Sequence, residues 1–146
     1  MTTYARPGTV DTGNDDYSWM NEIKQAFPTY EMIVRGDFNA PNTEWNYRIT
    51  TVRGQQLAEA YERANLLLIN DLSVNTRYAT NRKHEDTTPD LTFTTQKIKT
   101  HWKLIDDTWG SDHHPIEIRV ENVTKHKKKR ITQTVIWDRF RRKVTE

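Results

Sequence analysis

The chain has 146 residues, a length that suits one domain and is too short for two separate cores. It contains no cysteine, which excludes disulfides, thiolate metal ligands and a thiol nucleophile. Its longest apolar run, Leu66–Ile69, is far shorter than a membrane span and no secretory signal opens the chain, so we expect no membrane partner.

The first elements in the chain are a strand and a helix. Tyr4 is expected near the end of a strand that runs into a turn at Pro7. An amphipathic helix is predicted from Asp15 to Phe27, with Asn14 or Asp15 as its N-cap and Pro28 beyond its end. Its expected buried face consists of Trp19, Ile23, Ala26 and Phe27.

A strand, a second helix and another strand are predicted next. The apolar run Met32–Val34 is typical of a buried strand, and a helix is expected from residue 53 or 54 to Ala64. Asn65 suits the C-terminal turn of that helix, and Leu66–Ile69 is typical of a further buried strand. The expected buried face of the helix consists of Leu57, Ala60, Tyr61 and Ala64.

The remaining chain is polar and turn-rich over residues 70–88 and then returns to alternating apolar residues. Strands are predicted over Pro89–Thr94, around Trp102–Ile105 and over Ile116–Val120. Strands interleaved with two helices make the fold class α/β or α+β. We expect residues 1–121 to form the domain and residues 122–146 to form a basic linker and the start of a following region.

The segment Gly110–Pro115 places Asp112 and His113 side by side on a tight loop before the last strand. Gly110 permits a turn that a Cβ would obstruct, and Pro115 fixes the backbone that leaves it. A His whose ring is held by a carboxylate can act as a general base. A polar turn between two strands is the alternative interpretation.

Three further polar residues stand beside predicted strands. Asp37 and Asn39 are two residues apart after a buried strand, where an Asp can orient a water and an Asn amide can donate to a developing anionic oxygen. Asp90 begins the strand after Pro89. An ordinary turn at residues 36–39 and a solvated or capping Asp90 are the structural alternatives.

Taken in chain order, the segments Gly36–Ala40, Pro89–Leu91 and Ser111–His113 resemble motifs of the endonuclease/exonuclease/phosphatase family. The wider segments Thr88–Phe93 and Gly110–Ile116 are most similar to the endonuclease domain of non-LTR retrotransposon reverse transcriptases. The resemblance implies a four-layer α/β sandwich of the deoxyribonuclease-I type, of which this chain would supply one sheet with flanking helices.

The resemblance also implies the hydrolysis of phosphodiester bonds. Asp37 would position the attacking water and Asn39 would contact the scissile phosphate. Asp90 would orient the ring of His113, and His113 would transfer a proton or polarise the phosphate.

The implied cofactor is Mg²⁺, with Mn²⁺ as the alternative, because attack on a phosphodiester adds negative charge to oxygens that are already anionic. By the same resemblance Asp112 would lie beside the metal and Tyr4 would contact the phosphate. His114 has no role in the family's pattern and is expected to be a surface or packing residue.

The match covers the C-terminal half of the family's domain. The first half carries an Asn and a Gln-Glu pair, whose Glu is the main metal ligand, and no acidic residue near the start of this chain has that context. We therefore expect weak Mg²⁺ binding and poor or no DNA nicking by the chain alone, with an N-terminal half or a reverse transcriptase region as a further partner.

Several functions remain open at this stage. The first is a Mg²⁺-dependent endonuclease that nicks DNA inside the cell, in the nucleus. The second is a catalytically silent remnant that binds nucleic acid through its basic tail, and the third is a phosphatase of the same family. The net charge is only +2, but a basic run favours nucleic acid over a small molecule. The run consists of Lys125, Lys127, Lys128, Lys129 and Arg130.

Overall fold

The computed structural model describes the backbone of residues 2–4 and the whole of residues 17–81 and 85–121. Its elements are β1 (Thr2–Tyr4), α1 (Trp19–Ala26), β2 (Ile33–Asp37), a 3-10 turn (Thr43–Trp45), α2 (Val52–Arg63), β3 (Leu66–Leu68), β4 (Asp90–Thr95), β5 (Thr100–Leu104) and β6 (Ile116–Val120). None of the helices formed by the described residues is long and apolar enough to span a membrane.

The larger sheet has four strands in the order β1-β2-β4-β3. Strand β1 runs parallel to β2, whereas β4 is antiparallel to both of its neighbours. Residues Leu91–Thr95 of β4 are all buried, so burial does not follow the alternation of apolar and polar residues in the sequence of this segment. A strand that has a neighbour on each side and both faces covered is buried at successive positions.

The second sheet consists of β5 and β6 alone, paired antiparallel from Thr100↔Val120 to Leu104↔Ile116. The prediction of a single sheet is therefore wrong. Both edges of β4 are already occupied by β2 and β3, so β5 finds no free edge there and pairs with the strand that follows it.

The core lies between the helices and the larger sheet. Phe93 of β4 stacks on Tyr61 of α2 at 4.9 Å between ring centroids and meets Phe38 edge-on at 5.6 Å. The buried apolar side chains are Met20, Val34, Phe38, Ala40, Trp45, Leu57, Ala58, Ala60, Ala64, Leu66, Leu91 and Phe93.

Helix α1 differs from its prediction in extent and in buried face. It begins at Trp19 with Ser18 at the N-cap position, while the predicted caps Asn14 and Asp15 lie outside the described residues. Met20 is its fully buried residue, whereas Ala26 and Phe27 are exposed. The helix is only 8 residues long, so it ends before Phe27 can turn toward the core.

Helix α2 confirms its prediction closely, with Leu57, Ala60 and Ala64 buried and Asn65 left-handed at φ 53°. Thr51 caps the helix by accepting from the Gly54 N–H. The first turn is held against the segment after β2, because Asn42 donates to the Gly54 carbonyl and the Thr51 hydroxyl donates to the Pro41 carbonyl. The following strand β3 was predicted to be buried, but it lies at the sheet edge and Leu67 is exposed.

Candidate functional site

Three distant segments bring Asp37, Asp90 and His113 together, and these residues form what we call the three-residue cluster. Asp37 ends β2 and Asp90 begins β4, and the antiparallel register places the two directly opposite each other. Opposite residues of an antiparallel pair project from the same face of the sheet. One ligand atom from each of the three side chains lies within 4.8 Å of the other two.

Asp90 fixes the ring of His113. The Nδ1 atom of His113 lies 2.7 Å from Oδ2 of Asp90. Because a carboxylate can only accept hydrogen bonds, Nδ1 is the donor and Nε2 carries the lone pair of the neutral ring. The His113 side chain is 31% exposed and that of Asp90 is 20% exposed, so the ring of His113 reaches solvent while the Asp90 carboxylate is largely buried.

Thr76 holds Asp90 in turn. Its hydroxyl donates to Asp90 Oδ2 at 2.9 Å and accepts from the Asp90 backbone N–H at 3.2 Å. Thr76 is fully buried, and its carbonyl accepts from the His114 N–H at 2.8 Å. The sequence analysis missed Thr76 because it lies in the polar stretch 70–88, where no periodicity marks a buried residue.

Asp37 is the second carboxylate of the cluster. Burial raises its pKa, as does the neighbouring Asp90 carboxylate, while His113 and Asn39 lower the pKa of Asp37 by a smaller amount. Its Oδ1 atom is buried and has no hydrogen-bond partner among the described residues. A buried, unpartnered carboxylate oxygen favours a proton or a cation beside it.

The loop after Asp37 is anchored on both sides. The Phe38 ring is buried, and its backbone N–H donates to the Pro89 carbonyl at 2.9 Å. Asn39 takes the left-handed conformation at φ 44° and hydrogen-bonds to Asp37 through its side chain. The Asn39 amide therefore lies beside the three-residue cluster.

Other predicted site residues lie elsewhere. Asp112 is not in the three-residue cluster, and its Oδ2 accepts from Nε of Arg77 at 2.9 Å. The backbone of Tyr4 pairs with Asp37 in the sheet, but its side chain lies outside the described residues. The basic residues Lys125, Lys127, Lys128, Lys129 and Arg130 lie outside them too. These assignments stay predictions.

His114 is a packing residue. It is 6% exposed, and its ring meets that of Tyr78 edge-on with centroids 4.4 Å apart. Its Nδ1 atom lies 3.0 Å from the Ile105 carbonyl, so the ring also fastens the end of β5 to the loop that carries His113.

A cleft of ≈ 310 Å³ opens beside the cluster, between the larger sheet and β6. Both carboxylates of the cluster reach it, and the apolar side chains of β6 form its far wall. The cleft is lined by Arg35, Gly36, Asp37, Asp90, Leu91, Thr92, His114, Ile116 and Ile118.

Tyr47 is a further residue near the cluster that the sequence analysis missed. The pKa of its hydroxyl is raised to about 12, chiefly by burial and to a smaller extent by the charges of Asp37 and Asp90. A hydrogen bond to Thr87 and the charge of Arg77 act in the opposite direction on the pKa of Tyr47. The Tyr47 hydroxyl is therefore protonated and within electrostatic reach of both carboxylates.

The cluster has the donor set for a hard divalent cation. Mg²⁺ and Mn²⁺ prefer carboxylate oxygens, and Asp37 and Asp90 offer them from adjacent strands. The unpartnered Oδ1 of Asp37 is the atom that such an ion would satisfy. The residues present thus fit a divalent metal, while His113 keeps a nitrogen lone pair for proton transfer.

Two of three comparisons with known proteins found a match. A family model described as "Endonuclease-reverse transcriptase" matches residues 1–117. No curated protein matches the chain. Six chains of solved structures match, among them "Endonuclease domain of TRAS1, a telomere-specific non-LTR retrotransposon".

The similarity to the TRAS1 domain supports the fold. The TM-score is 0.62 at 24% sequence identity, over 81% of this chain and 55% of that one. The chain therefore spans about half the length of the solved domain. The α/β fold class predicted from the sequence is confirmed.

Proposed function

The chain belongs to the endonuclease-reverse transcriptase family, and we propose that it is a divalent-metal-dependent DNA endonuclease domain of a retrotransposon. The observation that supports this proposal is the three-residue cluster, in which two carboxylates at the paired ends of β2 and β4 meet a His that is hydrogen-bonded to one of them. Carboxylates for a hard cation and a His for proton transfer are the groups that phosphodiester hydrolysis needs.

His113 carries the proton-transfer role in this proposal. Its Nδ1 donates to Asp90, so Nε2 accepts a proton from a water or, once protonated, donates one to the phosphate. Asp90 stabilises the charged ring, and Thr76 keeps the Asp90 carboxylate in place. Asp90 and Thr76 therefore act on the reaction through the orientation of His113.

Asp37 and Asn39 face the phosphate in this proposal. The Asp37 carboxylate orients the attacking water, and the Asn39 amide donates to a phosphate oxygen as negative charge builds on it. Asp37 and Asp90 would hold Mg²⁺ or Mn²⁺, whose positive charge would offset this negative charge.

Other parts of the proposal concern residues around the cluster. Asp112 beside the metal and Tyr4 against the phosphate remain roles implied by the resemblance. The basic residues Lys125, Lys127, Lys128, Lys129 and Arg130 would add contacts to the DNA backbone. DNA as the substrate places the activity in the nucleus.

Nicking of supercoiled plasmid tests the proposal. We expect slow nicking by the chain in the presence of Mg²⁺ or Mn²⁺, none in EDTA, and none with His113→Ala. His101→Ala is the matched control, because His101 also pairs with a carboxylate, that of Glu121, at 2.6 Å, but lies on β5. Nicking that continues in EDTA, or equal nicking by the wild type and His113→Ala, would overturn the proposal.

A further inference from the structure

Arg77 lies between the segment that leads to Asp90 and the loop that carries His113. Its backbone exchanges hydrogen bonds with Thr87 at 3.0 Å in both directions and forms an antiparallel bridge with His113. Thr87 leads directly into Asp90 through Thr88 and Pro89. Arg77 thus lies between the approach to Asp90 and the loop that carries His113.

Among the described residues, the side chain of Arg77 is anchored at one point. Its Nε donates to Asp112 Oδ2 at 2.9 Å, and the Arg77 and Asp112 side chains are 40% and 34% exposed. No hydrogen bond to either terminal amino group of Arg77 is found within residues 17–81 and 85–121. Within these residues one of the five guanidinium donors is used, which leaves the others for a ligand.

Arg77 and His113 are opposite residues of an antiparallel bridge, so their side chains project from the same face. The charge of Arg77 also acts on the Tyr47 hydroxyl, in the direction opposite to the charges of Asp37 and Asp90. A phosphodiester that approaches two carboxylates meets repulsion, which a nearby fixed cation reduces. A guanidinium presents paired N–H donors that match the oxygens of a phosphate.

We propose that Arg77, held by Asp112, binds a backbone phosphate of the DNA next to the bond that is cleaved. This inference rests on the proposed endonuclease function and adds a substrate contact to it. Because Asp112 fixes Nε before the substrate arrives, the guanidinium loses little side-chain freedom on binding. Asp112 is then a positioning residue for Arg77.

A purely structural role for the pair makes different predictions. If Arg77 and Asp112 only fasten the loop of His113, Arg77→Gln and Asp112→Asn break the same contact and slow nicking alike. Neither change would then alter how DNA binding depends on salt. If Arg77 binds a phosphate, only Arg77→Gln removes a cation from the interface.

The test is DNA binding by fluorescence anisotropy, with a short fluorescein-labelled duplex in EDTA and increasing potassium chloride. We expect Arg77→Gln to reduce the magnitude of the slope of log K against log salt by about 0.9, the value for one phosphate contact. Asp112→Asn should keep the wild-type slope, because Arg77 retains its charge. Comparing variants removes the contribution of residues 122–146, which all variants share.

Arg119→Gln is the matched control. Its Nε donates to Glu117 at 3.0 Å, the same kind of ion pair. Arg119 alternates along β6 with Ile116 and Ile118, which line the cleft, so its side chain leaves the other face of the strand. Arg119→Gln should keep the wild-type slope. An equal fall in slope for Arg119→Gln and Arg77→Gln would overturn the inference.

The remaining outcomes separate the inference from the proposed function. An unchanged slope in Arg77→Gln overturns the role of Arg77 even if the wild-type chain nicks plasmid. A fall of about 0.9 in Arg77→Gln alone supports the phosphate contact even if no nicking is found. If Arg77→Gln does not fold, Arg77→Lys replaces it, because lysine keeps the charge and loses the paired N–H donors. A salt slope equal to that of the wild type, with weaker DNA binding, supports the inference. A salt slope smaller in magnitude than that of the wild type overturns it.

Discussion

Thr76→Val should lower both the stability of the fold and the rate of nicking, because the Thr76 hydroxyl makes two hydrogen bonds to Asp90. The substitution replaces the hydroxyl by a methyl group of similar size in a fully buried position. It removes a donor to the Asp90 carboxylate at 2.9 Å and an acceptor for the Asp90 N–H at 3.2 Å.

The magnitude follows from these two contacts. A hydrogen bond to a charged group contributes about 2 kcal/mol and a neutral one about 1 kcal/mol, so the free energy of unfolding should fall by about 3 kcal/mol. For a chain of this size such a loss lowers Tm by about 10 °C. Without these two hydrogen bonds the Asp90 carboxylate can rotate, and the His113 ring loses its fixed orientation. The value of kcat should then fall by about 10- to 100-fold, the typical loss when a residue that orients a functional side chain is removed.

Thermal unfolding and plasmid nicking measure the two effects. Thr76→Ser is the control, since it keeps the hydroxyl and removes a single methyl group, at a cost of about 1 kcal/mol. Thr76→Ser should therefore keep most of the nicking activity. Wild-type Tm and nicking in Thr76→Val, or an equal loss of nicking in Thr76→Ser, would refute the reasoning.

Three further predictions concern the carboxylate of Asp37, the metal and two glycines. Because burial raises the pKa of Asp37 in the folded chain, its contribution to stability is present below the unfolded pKa and lost as pH rises through the folded value. Asp37→Asn should therefore raise Tm in EDTA near neutral pH and not at about pH 3; a lower Tm at neutral pH would contradict this. Mg²⁺ should raise the Tm of the wild type more than that of Asp37→Asn, and an equal shift would place the ion elsewhere. Gly54→Ala would bring a Cβ within 1.9 Å of the Pro41 carbonyl oxygen, so its urea midpoint should fall by more than that of Gly110→Ala, which meets no atom within 4 Å and strains only a φ of +82°.

The parts of the site that the sequence could predict are those that stand at strand ends within distinct motifs. Asp37 follows the apolar run of β2, Asp90 opens β4 and His113 precedes β6. The order of these motifs along the chain indicated a shared site, and the structure brings the three side chains together. Strand ends are readable because apolar periodicity marks where a strand stops.

The remaining parts depend on long-range pairing that leaves no local pattern. Thr76 and Arg77 lie in a polar stretch, yet Thr76 is fully buried and Arg77 bridges to His113, 36 residues away. Tyr47 follows a 3-10 turn whose Trp45 is buried in the core, and the charges of Asp37 and Asp90 act on its hydroxyl. Whether such residues are buried depends on which distant segments pack together, and no local sequence pattern indicates this packing.

The two carboxylates and the His are therefore positioned by different means. Asp37 and Asp90 are register partners, and a shift of one residue would send one of them to the other face of the sheet. His113 comes from a loop whose backbone is fastened to residues 76–78: the His114 N–H donates to the Thr76 carbonyl, and the Tyr78 N–H donates to the Asp112 carbonyl, both at 2.8 Å. A substitution of Tyr78, whose ring packs on His114, should consequently displace His113 while the two carboxylates stay in place, so proton transfer should be more sensitive to this residue than metal binding.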